Sequence, residues 1–182
     1  MPTETHPLES FYHQAVRASF VDKLGLSDPE IIDYVVHVLC AFSDVEDTRR
    51  LKDATGRRLE TMDEMLRAAD PVHGTAASFD EERAVRVYLG DYALYMAGMH
   101  LDVMESAPNY KTDKPTVDQL IRVGEESYAI VSKFDMFEYE KEAPLFARLA
   151  ECLDRCILGL ALIRDELHEP MRERGLSGTS QS

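Results

Sequence analysis

Apolar residues recur every three or four positions along almost the whole chain, and this period constrains the fold more than any other feature of the sequence. Residues three and four apart share one face of an α-helix, whereas the two faces of a β-strand alternate at every residue. No stretch shows a convincing strand-like alternation. The sequence therefore predicts an all-α protein.

Capping residues, glycines and prolines divide this pattern into about six helices. They are expected near residues 8–24, 29–43, 59–69, 79–106, 116–134 and 144–168. Three of them are expected at the centre of a bundle. The second is apolar around most of its circumference, the fourth is about 40 Å long, and the last carries a continuous leucine-rich stripe. These central helices are those near 29–43, 79–106 and 144–168, and Pro170 is expected to end the last.

A chain of 182 residues is long enough for one domain with its own core. We expect a single helical domain over residues 8–174. Residues 1–7 and 175–182 are polar or small and lack a period, so they are expected to be mobile tails. Residues 44–58 contain a turn sequence around Gly56, which fits either a short hairpin or an irregular loop.

The charge of the chain limits its partners. Twenty basic residues against thirty-four acidic residues give a net charge of −14, which disfavours nucleic acid and anionic membranes. No apolar stretch approaches the length of a membrane span. The odd number of cysteines, three, and the absence of a signal-like N-terminus lead us to expect a cytoplasmic protein with reduced thiols.

Standard catalytic and phosphate-binding motifs are absent from the sequence, including GxGxxG, HExxH, GxSxG and CxxC. The paired carboxylate-x-x-histidine repeats of ferritin-like di-iron proteins are absent too. No cofactor is therefore predicted, with zinc as an alternative. That alternative rests on His37 and Cys40 in one helix and Cys152 and Cys156 in another, which would form a tetrahedral site if the helices packed in register. Buried thiols acting as small apolar groups are the competing interpretation.

A row of tyrosines is the second candidate site. Tyr88, Tyr92 and Tyr95 lie at i, i+4 and i+7 on the long fourth helix, with Met99 continuing their line and His100 beside it. With Tyr128 from the next helix, the three tyrosines and His100 are candidate ligand-binding residues. Such a row frames a pocket with a few polar anchors, or it packs in the core with its hydroxyls bonded to buried partners.

Two further features of the central helices concern packing. Gly90, Ala93 and Ala97 line a neighbouring face of the fourth helix, where another helix or a ligand can approach the backbone closely. His37 is the histidine that the pattern places in the interior, where it would need a hydrogen-bond partner.

A basic segment interrupts this acidic chain and is a candidate site for an anion or a partner. Its five cations are Arg49, Arg50, Lys52, Arg57 and Arg58. Internal compensation is the preferred interpretation. The expected counter-charges are Asp135, Glu138, Glu140 and Glu142.

Two classes of function remain open from the sequence, and the first is favoured because no catalytic constellation emerges. The first is a non-enzymatic binding or adaptor module, which uses a helix face for a protein partner or for self-association, including a homodimer. The second is a helical small-molecule or metal-binding protein, with enzymes not excluded. The second class requires a pocket of roughly several hundred Å³ between the fourth helix and its neighbours.

Overall fold

A computed structural model of the chain describes residues 6–44, 51–53, 55–100 and 115–176. The described residues form six α-helices and contain no β-strand, which confirms the all-α bundle. The helices are α1 (Glu9–Arg17), α2 (Pro29–Ser43), α3 (Met62–Ala69), α4 (Phe79–Met99), α5 (Val117–Val131) and α6 (Ala143–Leu176).

The first helical segment is continuous, as predicted, but it changes type. α1 runs directly into a π-helical turn over Ala18–Lys23. The Ser19 hydroxyl in this turn donates a 2.7 Å hydrogen bond to the Gly159 carbonyl of α6. Gly25 then ends the segment with a φ of +65°, a left-handed conformation that glycine adopts without steric cost.

The start of α2 follows from its sequence. The Asp28 carboxylate accepts hydrogen bonds from the backbone N–H groups of Glu30 and Ile31 at 3.0 and 3.3 Å. Pro29 occupies the first turn, where its missing N–H costs nothing. Arg148 of α6 donates to the same carboxylate at 2.8 Å. The capping residue of α2 therefore also ties α2 to α6.

Helices α4, α5 and α6 pack against one another along the middle of the molecule. Close approach is possible because small residues lie at the crossings. A Cβ atom on Gly90 would lie 2.3 Å from Cε1 of Tyr128, so the ring of Tyr128 occupies the space that glycine leaves. The small-residue face of α4 thus receives a neighbouring helix. Helix α2 contributes buried side chains from Ile31 to Cys40 and covers this unit together with α1.

Several helix ends differ from the sequence-based boundaries. α3 begins at Met62, later than expected, because Thr61 and Glu64 form a reciprocal capping box. α4 ends at Met99, and the predicted extension to 106 lies largely outside the described residues. The prediction that Pro170 ends α6 is wrong, since the helix continues to Leu176. Residues 165–169 are exposed, so a carbonyl freed by the proline can bind water.

The segment before α3 contains a small hairpin-like turn in its described part. Lys52 and Arg58 form an isolated antiparallel bridge, and the Leu59 N–H donates to the Leu51 carbonyl at 2.8 Å. Gly56 has a φ of +84° in the turn between them. The hairpin alternative therefore fits residues 51–53 and 55–59, whereas 45–50 and 54 lie outside the described residues. Among the predicted tails, 1–5 and 177–182 lie outside as well, and 175–176 are helical.

Candidate ligand-binding cleft

The predicted row of tyrosines lines one side of α4. Tyr88 and Tyr92 stack with their ring centroids 6.5 Å apart. Phe42, near the end of α2, packs against this row, with its centroid 4.9 Å from that of Tyr95 and 5.7 Å from that of Tyr88. Two helices therefore contribute to one layer of aromatic rings.

This aromatic layer borders an open cleft of about 530 Å³. The cleft lies among α2, α3, α4 and the turn that precedes α3, and its size is the one that the small-molecule hypothesis requires. Its lining residues are Phe42, Arg58, Leu59, Glu60, Met65, Tyr88, Tyr92, Tyr95, Met96 and His100. Four of the five tyrosines and histidines predicted for the site are thus brought together.

Three polar side chains that line the cleft, Tyr92, Tyr95 and His100, are neutral at physiological pH. Burial raises the pKa of Tyr92 and of Tyr95, so both hydroxyls keep their protons. Burial lowers the pKa of His100, whose ring lies 5.1 Å from that of Tyr95, and this favours the uncharged imidazole. The cleft therefore offers flat aromatic surfaces with neutral hydrogen-bonding groups.

The charged groups of the cleft lie at its rim. Arg58 and Glu60 flank Leu59 in the turn before α3, and both side chains are exposed. The adjacent Arg57 is held elsewhere, by Asp53 at 3.2 Å and Glu64 at 2.8 Å. The rim thus carries one cation and one anion next to the apolar walls.

Tyr128, the fifth residue predicted for this site, does not line the cleft. It is fully buried, and its hydroxyl donates a 2.8 Å hydrogen bond to Oδ1 of Asp91. Tyr34 of α2 donates to the same oxygen at 2.7 Å. Tyr128 is therefore a core residue, as the alternative interpretation of the tyrosines allowed.

Asp91 itself is a buried carboxylate that the helical pattern does not single out. Only 3% of the residue is exposed to solvent. Its one signal in the sequence is its position, since it directly follows Leu89 and Gly90 in the middle of a long helix. An aspartate there is buried or exposed depending on which neighbours cover its face, and the spacing on one helix does not supply that information.

The residues of the zinc hypothesis are dispersed. His37 is exposed, so the prediction that it is buried is wrong, because the face of α2 that carries it points outwards. Cys40 is buried, and the sulfur atoms of Cys152 and Cys156 lie 3.8 Å apart. Within the described ranges, no group of three or more histidine, cysteine, aspartate or glutamate side chains is arranged to hold a metal ion.

The basic segment is compensated in part, by different acids from those expected. Arg57 binds Asp53 and Glu64, which are its neighbours in sequence. Of the predicted acidic run, Glu142 pairs with Arg83 of α4 at 2.5 Å. These ion pairs thus join residues close in sequence, or parts of the bundle that pack together. Arg49 and Arg50 lie outside the described residues.

Comparison with known proteins gives no relative for this chain: no family model, no curated protein and no solved structure matches it. Among the described residues, no helix combines the length and the apolar character needed to cross a membrane. The cleft and its chemistry therefore carry the functional argument.

Proposed function

We propose that the protein binds a flat, largely apolar small molecule in the tyrosine-lined cleft. The observation that carries this proposal is the aromatic layer formed by Phe42, Tyr88, Tyr92 and Tyr95 beside about 530 Å³ of open space. Ligand sites typically enclose roughly 300–1,000 Å³ and combine apolar walls with a few polar groups. This function belongs to the second of the two classes left open by the sequence.

The polar groups define the ligand further. The neutral Tyr92, Tyr95 and His100 groups favour hydrogen-bonding atoms without charge in the interior of the cleft. A charged group on the ligand would lie at the mouth, where Arg58 attracts an anion and Glu60 a cation. We therefore expect an aromatic ring system inside the cleft, with its most polar substituent directed to solvent.

A tryptophan side chain introduced into the lining tests the proposal by filling the cleft, and the chain itself contains no tryptophan. Met96→Trp places an indole among the lining residues, and Met136→Trp, at an exposed position outside the cleft, is the matched control. The probes are 2-naphthol and 2-naphthoate, observed by NMR through the methyl groups of Met65 and Met96 in the wild type and of Met65 in Met96→Trp. We expect a dissociation constant on the order of a millimolar for such fragments.

Binding of naphthol to the wild type and to Met136→Trp, with its loss in Met96→Trp, is the result that supports the proposal. Arg58→Gln should weaken naphthoate binding and leave naphthol binding unchanged. Equal binding to both tryptophan variants, or no shift of the Met96 methyl in the wild type, would overturn it. Native mass spectrometry of freshly purified protein adds a direct search for a retained molecule.

The cellular setting is part of the same proposal. A cytoplasmic location is supported by the three cysteines, all of which are free thiols. Self-association as a homodimer is a second form of the binding-module hypothesis, supported by exposed apolar residues on α6, Leu158 and Leu167. Sedimentation at tens of micromolar tests it: a strictly monomeric species would exclude it.

A further inference from the structure

A second apolar surface lies at the other end of α4, away from the tyrosine cleft. Phe79, Met136 and Phe137 are exposed over 76%, 63% and 82% of their surfaces and lie along one groove of about 750 Å³. Ile130 and Phe134, from the end of α5 and the residues after it, continue this apolar lining. Exposed aromatic and methionine side chains with a polar surround are typical of protein interfaces.

The backbone of Phe137 is strained. Its φ is +55°, the left-handed region that residues with a bulky side chain rarely adopt. Phe137 begins a 3-10 turn over Phe137–Tyr139, which is held by a 3.2 Å hydrogen bond from the Tyr139 N–H to the Met136 carbonyl. The Tyr139 hydroxyl also donates to Asp80 at 3.0 Å. The strained backbone holds the Phe137 ring in solvent, where it gains no burial within this chain. Packing of the chain therefore does not explain why a phenylalanine occupies this position.

The rim of the groove is acidic. Four carboxylates line it, from Asp80, Glu82, Asp135 and Glu138, against the single ammonium of Lys133. Asp80 accepts the Tyr139 hydroxyl, and in the described part of the chain no salt bridge joins the other three to a cation. A cationic partner would therefore find these carboxylates available.

We propose that this groove binds a segment of another protein in which an apolar side chain is flanked by lysines or arginines. The apolar side chain contacts Phe79, Met136 and Phe137, and the cations pair with the carboxylates of the rim. A second copy of this chain is a poorer occupant because each copy carries a net charge of −14. This inference concerns a surface separate from the tyrosine cleft and does not depend on ligand binding there.

The probe is a short synthetic helical peptide of leucine and lysine, compared with the same peptide carrying glutamate in place of lysine. Methionine-methyl NMR locates the binding on the wild-type protein, since Met136 lies in the groove and Met96 in the tyrosine cleft. We expect the lysine peptide to shift Met136 and leave Met96 unmoved. The glutamate peptide should shift neither.

Phe137→Asn is the decisive variant, because asparagine tolerates the left-handed region and removes the ring. We expect it to raise the melting temperature while weakening peptide binding at least about tenfold. Val72→Asn is the matched control at a 77% exposed apolar residue outside the groove, and it should bind like the wild type. The double variant Glu82→Gln/Glu138→Gln should weaken binding and reduce its salt dependence, unlike Glu125→Gln/Glu126→Gln.

Three results would overturn the proposal. The first is a Met136 methyl that does not move with the lysine peptide. The second is a Phe137→Asn variant that binds the peptide as tightly as the wild type. The third is concentration-dependent dimerisation that Phe137→Asn abolishes, which would assign the groove to a second copy of the chain.

Discussion

The hydroxyl of Tyr128 and the carboxylate of Asp91 form a 2.8 Å hydrogen bond in the interior of the bundle, between α5 and α4. Tyr34 of α2 donates to the same oxygen at 2.7 Å, so one carboxylate joins three helices. Buried polar groups of this kind are strongly dependent on their partners, because an unsatisfied oxygen in the core is costly. This cluster fixes the tyrosine face of α4 relative to its neighbours.

Tyr128→Phe is expected to lower stability at neutral pH and to make it less sensitive to alkaline pH. Near neutral pH the loss of the hydroxyl should lower the free energy of unfolding by about 1–2 kcal/mol. Burial, with the adjacent Asp91 charge, raises the pKa of Tyr128 well above its usual value of 10.0. Stability from this group is thus present below pH 10 and lost as the pH rises further. Chemical unfolding should therefore show a shallower alkaline decline for Tyr128→Phe, and an unchanged slope would contradict this account.

Gly90→Ala should destabilise the protein although alanine is the better helix former. On an open helix the change would stabilise by about 1 kcal/mol. Here the new Cβ would lie 2.3 Å from the Tyr128 ring, so overpacking should reverse the sign to a net loss of about 1–3 kcal/mol. Urea unfolding measures it. In the Tyr128→Leu background, Gly90→Ala should lower the free energy of unfolding much less. If the effects of the two substitutions simply added, the contact between the new Cβ and the Tyr128 ring would be excluded as the cause.

Acid should weaken the turn before α3 through Glu64. Backbone N–H donors from Glu60 and Thr61, with Arg57, lower the pKa of Glu64 from 4.5 to about 2. A depressed carboxyl pKa stabilises the folded state above pH 4.5, and this contribution is lost as the pH falls towards 2. Carboxyl-detected NMR titration should give this low midpoint. Glu64→Gln should flatten the acid dependence of local stability in this range, whereas Glu126→Gln should leave it unchanged.

Cys152 should be the most reactive thiol of the chain. Its backbone is non-helical, at a kink within α6. The hydrogen bond from Cys156 lowers the pKa of its thiol. The same pairing, with burial, raises the pKa of Cys156, and burial raises that of Cys40. Iodoacetamide labelling followed by peptide mass spectrometry should find Cys152 modified first. Cys156→Ala should slow its labelling, and an equal rate in that variant would exclude the hydrogen bond as the cause.

The fold class and most helix positions could be predicted because they depend on local information. The caps at Asp28 and Thr116 and the glycine stop at Gly25 are specified by residues adjacent to the helix ends. The predicted end of α6 at Pro170 is wrong because a proline near an exposed helix end does not force the helix to stop there. The prediction that His37 is buried is wrong because apolar residues around most of a helix do not show which side a neighbouring helix covers.

The candidate sites divide in the same way. Tyr88, Tyr92 and Tyr95 share a helix face by spacing alone. A pocket of this size beside α4 was the condition of the small-molecule hypothesis, whereas core packing of the tyrosines was the competing interpretation. Tyr128 was assigned to the cleft but packs in the core, where it meets Asp91. The groove around Phe137 had no sequence signal, since an apolar residue between acidic ones is compatible with either burial or exposure.

The sequence by itself determined that the chain is helical, where most helices begin, and which residues share a face, because each depends on contacts within a few positions. Only the tertiary structure decided which faces meet. Whether Asp91 is buried beside two tyrosine hydroxyls, or Phe137 left exposed among carboxylates, depends on helices distant in sequence that approach through space. The energy of such contacts is set by the neighbours that exclude or admit water.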